Sequence, residues 1–130
     1  MSEVKSELKY TKDHEWIKAE GNTIIVGITD YAQENLGDIV FVELPSREAK
    51  VNKGNSLCTI ESVKAVSDVY VPASGTIIKT NEEIETDPAI INKEPYTGGW
   101  LAVIELSDSS ELNSLMSADE YTEYLKTLED

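Results

Sequence analysis

Short runs of β-branched and apolar residues, separated by glycine, proline and polar turns, set the fold class of this chain. The strongest run, at 38–44, is rich in Ile, Val, Phe and Leu and ends at Pro45. Valine, isoleucine and threonine favour the pleated, half-buried surface of a strand. The pattern predicts a mainly β fold with strands at 23–28, 38–44, 56–60, 66–71, 76–78 and 100–104.

One short helix is predicted between the first two of these strands. Thr29 or Asp30 can accept a hydrogen bond from the free amides at the start of a helix over 31–36. Gly37 suits the left-handed residue that ends a helix. Residues 81–99 are rich in turn formers and predict irregular structure.

The tail changes from the period of a strand to that of a helix. Ser117 and Glu120 have the spacing of a capping box, in which each side chain binds the other residue's backbone amide. Apolar residues then recur at helical spacing: Tyr121, Tyr124, Leu125 and Leu128. The 130 residues predict one domain, 1–130, with a β core over about 8–106 and a C-terminal helical extension over 107–130.

The charge balance is strongly acidic and disfavours two classes of partner. The chain has 25 Asp and Glu against 11 Lys and Arg, a net charge of −14. Such a surface repels nucleic acid and anionic membranes, and favours proteins with basic patches. Cys58 is the only cysteine and lies in an apolar run, so we expect a buried thiol and a reducing compartment. The location expected is cytoplasmic, or the mitochondrial matrix if a targeting segment has been removed.

A faint internal repeat indicates two similar halves. The residues at 37–40 resemble those at 75–78, a shift of 38 positions. The glycine and aliphatic residues at 54–61 resemble those at 98–105, a shift of 44 positions. Two quasi-symmetric β halves would then be joined by the segment around Lys64, which predicts an exposed hairpin there.

The residues of the common catalytic sites are missing from this sequence. His14 is the only histidine, so a histidine cluster for a metal is excluded and a catalytic triad could use no other base. Neither common type of Gly-rich phosphate loop is present. We therefore expect no catalytic residues and no metal site, and a structural role for His14.

Lys64 remains as the candidate functional residue. It lies between Val63 and Ala65, in the short connection between two predicted strands. Most hairpin lysines are merely solvated. A cofactor attachment site, however, requires an exposed amine, a rigid backbone and small or apolar neighbours, and the lysine stem adds reach. We interpret Lys64 as the attachment point of a swinging-arm cofactor.

Several motifs resemble the H-protein family of the glycine cleavage system. Residues 61–68 (ESVKAVSD) resemble its lipoylation segment. The remaining motifs occur in the family's order and bring the resemblance to roughly residues 8–128: YTKDHEW at 10–16, GITDYAQ at 27–33, LGDIVFVELP at 36–45, PY at 95–96 and GWL at 99–101.

The resemblance implies a flattened β-barrel or sandwich of the lipoyl and biotinyl type, hammerhead-like in outline, with two quasi-symmetric halves. It implies lipoate joined to Lys64, and a turn formed by Glu61, Ser62, Val63 and Ala65 that the lipoate-attaching enzyme recognises. It also implies a carrier, not an enzyme. The arm would take an aminomethyl group from glycine at the pyridoxal-phosphate P protein and deliver it to the tetrahydrofolate-dependent T protein. The flavin-dependent L protein would then reoxidise the arm, and the carrier itself is expected to be a monomer.

The resemblance further implies a surface cleft that receives the loaded arm. By position, Asp13, Glu15 and Asp68 resemble the residues that line this cleft, where carboxylates could accept hydrogen bonds from a protonated amine. These residues could equally be ordinary exposed acids. Asn35 stands where some family members have a histidine near the cleft.

Four alternatives stay open at this point. Lipoyl domains of 2-oxo acid dehydrogenases share Glu-x-x-Lys-Ala, but usually lie in long chains with flexible linkers. Biotin carriers place methionine on both sides of their lysine, where this chain has Val63 and Ala65. The chain could also donate lipoyl groups to other domains, or be an acidic binding module with an unmodified Lys64.

Overall fold

A computed structural model describes residues 2–129 of the chain. The strands are β1 (Lys9–Tyr10), β2 (Glu15–Glu20), β3 (Thr23–Ile28), β4 (Ile39–Glu43), β5 (Lys50–Val51), β6 (Ser56–Ser62), β7 (Val66–Tyr70), β8 (Gly75–Thr80) and β9 (Ala102–Leu106). The α-helices are α1 (Asp30–Leu36), α2 (Glu83–Thr86), α3 (Ala89–Lys93) and α4 (Ala118–Glu129), and a 3-10 helix spans Ser109–Ser114. None of the described helices is long and apolar enough to cross a membrane.

The strands form two antiparallel sheets. The larger has six strands in the order β1-β2-β3-β9-β8-β5, and the smaller has three in the order β4-β6-β7. Their inner faces share one core of branched aliphatic side chains, among them Ile24, Val26, Ile60, Ile77 and Ile104, each fully buried. The predicted mainly β sandwich, with a short internal helix and a C-terminal helix, is therefore confirmed.

The internal repeat is present in the way the strands pair. Strand β4 pairs with β6, and β8 pairs with β9, in each case antiparallel. Each pair contains one bulge, with Val40 the extra residue in β4 and Ile78 the extra residue in β8. These two bulge residues are 38 positions apart, which is the first shift predicted from the repeat. The two halves therefore share even the bulge that bends each strand.

The second shift predicted from the repeat is wrong by two residues. Ile39 pairs with Ser62, and the corresponding Ile77 pairs with Ile104. Ser62 and Ile104 are 42 positions apart, not 44. Because side chains alternate with a period of two, an error of two residues keeps the correct face toward the core, and the sequence pattern alone could not reveal it.

Two short helices replace the irregular structure predicted at 81–99. Helix α2 buries Ile84 fully and α3 buries Ile91 fully, both in the core between the sheets. Pro88 separates the two, so neither exceeds five residues. Helices this short show too little periodicity to be recognised in a sequence. Each is stabilised by the burial of its single isoleucine in the core.

A second apolar cluster attaches the C-terminal helix. It contains Leu8, Tyr10, Trp16, Tyr121 and Leu125. The rings of Tyr10 and Tyr121 stack with their centroids 4.5 Å apart. The predicted capping box is confirmed, because the Ser117 amide donates to Glu120 Oε1 at 2.9 Å and the Glu120 amide donates to Ser117 Oγ at 3.2 Å.

A buried carboxylate joins the two sheets. Glu15 begins β2 of the larger sheet and is only 2% exposed. Its Oε2 accepts a hydrogen bond from the Tyr70 amide of the smaller sheet at 2.8 Å, and its Oε1 accepts from the Thr11 hydroxyl at 2.8 Å. Burial raises the pKa of Glu15 to about 7, although these hydrogen bonds work in the opposite direction.

The raised pKa of Glu15 predicts that the stability of the fold depends on pH. Between pH about 4.5 and about 7 the folded protein keeps a proton on Glu15 that the unfolded chain has released. The contribution of Glu15 to the free energy of unfolding therefore falls as the pH rises through this window, by at most about 3 kcal/mol. In Glu15→Gln, which resembles the protonated acid, this fall should disappear.

The measurement is the free energy of unfolding by denaturant at pH 5, 6, 7 and 8. The quantity that tests the prediction is the difference between wild type and Glu15→Gln, because other carboxylates cancel in it. Glu20→Gln, which removes a carboxylate from the exposed end of the same strand, is the matched control. A difference between wild type and Glu15→Gln that stays constant across the series would contradict the assignment.

Candidate functional site

Lys64 lies at the tip of the hairpin formed by β6 and β7. The last paired residues are Glu61 and Val66, and β6 continues to Ser62. The connection is therefore shorter than the 61–65 segment expected from the sequence, and Val63, Lys64 and Ala65 are all exposed. The predicted exposed hairpin is confirmed.

The Ser62 side chain fixes the backbone of this tip. Its Oγ accepts hydrogen bonds from the Lys64 amide at 3.3 Å and the Ala65 amide at 3.0 Å, and its hydroxyl lies 3.3 Å from the Ala65 carbonyl. The Ser62 amide also donates to the Ala65 carbonyl at 2.8 Å. A serine hydroxyl that folds back onto the next residues in this way satisfies a turn locally.

The tip is also attached to the junction between α1 and β4. The Val63 amide donates to the Asp38 carbonyl at 3.0 Å. The Lys64 stem lies over Gly37, since a Cβ placed on Gly37 would be 3.5 Å from Lys64 Cε. Gly37 has a φ of 77° and ends α1, as its sequence position predicted. The stem of Lys64 therefore begins its path beside the C-terminal end of α1.

A cleft of about 380 Å³ opens on the same side of the molecule. Its walls are the start of β2, helix α1, the β6–β7 hairpin and helix α4. The lining residues are Asp13, His14, Glu15, Ile28, Tyr31, Ala32, Asn35, Leu36, Ile60, Ser67, Asp68, Val69, Tyr124 and Leu128. Asn35 and Leu36 directly precede Gly37, so the cleft begins where the lysine stem lies.

The three acids named from the sequence all line this cleft, but they differ in state. Asp13 and Asp68 are exposed. Asp68 Oδ1 lies 3.2 Å from the Thr59 hydroxyl, its closer partner within the sheet. Glu15 is buried, and each of its oxygens already accepts a hydrogen bond from the protein. Asp13 and Asp68 are therefore the carboxylates with capacity for a ligand, whereas both oxygens of Glu15 are already occupied.

Some cleft residues were not assigned to a site from the sequence. The tail tyrosines and leucines were expected to pack, and Tyr121 and Leu125 do so. Tyr124 also packs partly against the apolar cluster that contains them, and both Tyr124 and Leu128 line the cleft. They follow Tyr121 and Leu125 by three residues each, so the tail carries two adjacent apolar stripes. In the sequence, this unusually wide apolar face is the signal that could have indicated that α4 also lines a cleft.

Cys58 is buried in the core between the sheets. Burial raises the pKa of its thiol well above the usual range, which leaves it without thiolate character at neutral pH. The expected structural role of Cys58 is confirmed. Within residues 2–129, no group of three or more His, Cys, Asp or Glu side chains is arranged to hold a metal ion.

Comparisons with known proteins agree on one family. The family model described as glycine cleavage H-protein matches residues 8–128. The glycine cleavage system H protein of Staphylococcus haemolyticus is 52% identical over 122 residues, which are 94% of this chain and 97% of that protein. The corresponding protein of Halothermothrix orenii is 52% identical over 126 residues, 97% of this chain and 98% of that one.

A solved structure gives the same result. The crystal structure of a glycine cleavage system H protein from Mycobacterium marinum superposes with a TM-score of 0.87 at 40% identity, and the match covers 95% of this chain and 99% of that one. Sequence and fold therefore agree over nearly the full length of this chain. This chain belongs to the glycine cleavage H-protein family.

Proposed function

We propose that Lys64 carries the lipoyl group through an amide bond to its Nζ, and that the cleft beside α1 receives the free end of this arm. The chain is a lipoyl carrier of the glycine cleavage system, and not itself a catalyst. The single observation that supports Lys64 is its position: an exposed amine on a backbone that Ser62 and the Asp38 carbonyl hold in one conformation.

The tip suits recognition by a lipoate-attaching enzyme. Glu61 and Ser62 belong to the paired end of β6, and Val63 and Ala65 stand exposed on either side of the lysine. A fixed turn lets an enzyme bind the backbone shape without first ordering it, which lowers the entropic cost of association. Small and apolar neighbours also allow Lys64 to reach into a narrow active site.

Bound lipoate supplies a disulfide that takes up a group and is reduced in doing so. The chain supplies the tether, and Lys64 would lose its charge once its amine became an amide. Tethering raises the local concentration of the arm at each enzyme on which the protein docks. We propose the P, T and L proteins as the enzymes served, and the acidic surface, of net charge −14, as the face that meets basic patches on them.

The cleft combines an apolar wall with two available carboxylates. Leu36 and Leu128 provide accessible apolar surface, which suits the hydrocarbon part of the arm. Asp13 and Asp68 can accept charge-assisted hydrogen bonds from a protonated amine carried at its end. Glu15 is buried and its oxygens already accept hydrogen bonds from the protein, so this role is left to the two exposed acids.

Replacement of Lys64 by arginine tests the attachment. Lys64→Arg keeps the positive charge but offers no amine that can form the amide, so lipoylation and glycine–bicarbonate exchange should both be lost. The fold should persist, because the exposed tip makes little contact with the core. Lipoylation is measured by mass analysis of protein from cells with an active lipoylation pathway. Persistence of the fold is measured by thermal unfolding.

Lys18→Arg, on an exposed position of β2, is the matched control. It should keep both lipoylation and exchange. A lipoyl group found on another lysine, or wild-type exchange in Lys64→Arg, would contradict the proposal.

Replacement of Ser62 by alanine tests the rigidity of the tip. Ser62→Ala removes the acceptor of the Lys64 and Ala65 amides, which frees the turn. If the lost hydrogen bonds stabilise the ordered turn by about 1 kcal/mol, the kcat/KM for lipoylation should fall roughly fivefold, because the enzyme must then order the turn itself. Ser56→Ala, at the other end of the same strand, should lipoylate at the wild-type rate. Equal rates in all three proteins would show that the enzyme does not require a fixed turn.

A further inference from the structure

His14 adopts a backbone conformation that few residues other than glycine tolerate. Its φ is 68°, in the left-handed region, and it lines the cleft. A non-glycine residue in this region is strained and persists only where surrounding contacts impose it. The contacts around His14 therefore identify what the fold gains from this conformation.

Three hydrogen bonds connect His14, Thr29 and Tyr121 in a closed ring. The His14 carbonyl accepts from the Thr29 amide at 3.0 Å. Thr29 Oγ1 lies 2.8 Å from the Tyr121 hydroxyl, and that hydroxyl lies 2.8 Å from His14 Nδ1. His14 directly precedes β2, Thr29 is the N-cap of α1 and Tyr121 lies in the first turn of α4, so the ring connects three elements that line the cleft.

Burial fixes the direction of the hydrogen bonds in this ring. Thr29 is fully buried, and the Ala32 amide already donates to its Oγ1 at 3.2 Å. Among the described residues, the acceptor left for the Thr29 proton is the Tyr121 oxygen. Tyr121 must then donate its own proton to His14 Nδ1. His14 is therefore neutral, with its proton on Nε2, and burial lowers the pKa of His14 in agreement with this.

Aromatic contacts complete the same junction. The His14 ring lies 4.6 Å from the Tyr31 ring of α1 and 5.9 Å from the Tyr124 ring of α4, measured between centroids. Tyr31, Tyr124 and His14 all line the cleft. The His14 ring therefore packs between α1 and α4 at the cleft.

We propose that α4 is a wall of the arm cleft and that the ring formed by His14, Thr29 and Tyr121 holds this wall closed over the bound arm. His14 and Tyr121 are then positioning residues, which act through Tyr31, Tyr124 and Leu128 on whatever occupies the cleft. The inference rests on the proposed function, because it takes the arm on Lys64 to be that occupant.

Tyr121→Phe opens the ring while leaving the rest of α4 in place. The phenyl ring can still stack on Tyr10, but His14 Nδ1 and the Thr29 hydroxyl lose their shared partner. Lipoylation of Lys64 and loading by the P protein should be unchanged. Release of the carried one-carbon group to water, measured without the T protein, should become about fivefold faster, equivalent to about 1 kcal/mol.

Tyr10→Phe is the matched control. Tyr10 stacks on Tyr121, but its hydroxyl bonds the backbone of Lys5 and takes no part in the ring. The Tyr10→Phe variant loses a buried tyrosine hydroxyl from the same cluster. It should nevertheless release the one-carbon group to water at the wild-type rate. Unchanged release in Tyr121→Phe, or equal acceleration in both variants, overturns the proposal, because the second result reflects general destabilisation.

A second measurement needs no arm and separates this proposal from the attachment on Lys64. In the unmodified chain, the 15N shifts of His14 should show a protonated Nε2 and an unprotonated Nδ1 that accepts a hydrogen bond, and Tyr121→Phe should move the Nδ1 shift to that of a nitrogen without this bond. A protonated Nδ1 in wild type overturns the ring. Absence of lipoylation in wild type would instead refute the proposed function and leave the tautomer result standing.

Discussion

Pairing of the lysine-bearing hairpin with β4, over a buried row of side chains, is the constraint on which the site depends. An isolated two-stranded hairpin is marginally stable in water. Here β6 is the central strand of its sheet, and Ile60 and Val69 anchor the hairpin in the core. The Val63 amide ties the tip to Asp38. Lys64 is therefore exposed on a fixed backbone, which is what the proposed attachment of an arm requires.

Local chemistry made much of this structure predictable from the sequence. The Thr29 cap, the Gly37 stop and the box of Ser117 and Glu120 each involve groups within a few residues, so the sequence contains both partners. The Lys64 hairpin follows from two β-branched runs too close together for another connection. What could not be predicted depends on distant partners: helices α2 and α3 exist because the core has room for Ile84 and Ile91.

The acids of the cleft show the same limit in electrostatic terms. Sequence position grouped Asp13, Glu15 and Asp68 as equivalent carboxylates. Only the fold distinguishes them, since β7 supplies the Tyr70 amide and encloses Glu15, whereas the other two stay in solvent. A carboxyl group removed from water resists ionisation even when hydrogen-bonded. The buried acid therefore joins the sheets, and the two exposed acids are the ones available for the proposed contact with the arm.

Helix α4 links stability to the site through its two apolar stripes. Tyr121 and Leu125 bury one stripe against Tyr10 and Trp16, and Tyr124 and Leu128 present the other to the cleft. A helix of 12 residues has little intrinsic stability, so the buried stripe must hold it before the second can form a wall. The hydroxyl of Tyr121 lies where the two stripes meet, on a buried ring yet bonded to a cleft residue. Any change that loosens the packing of α4 must therefore also widen the cleft.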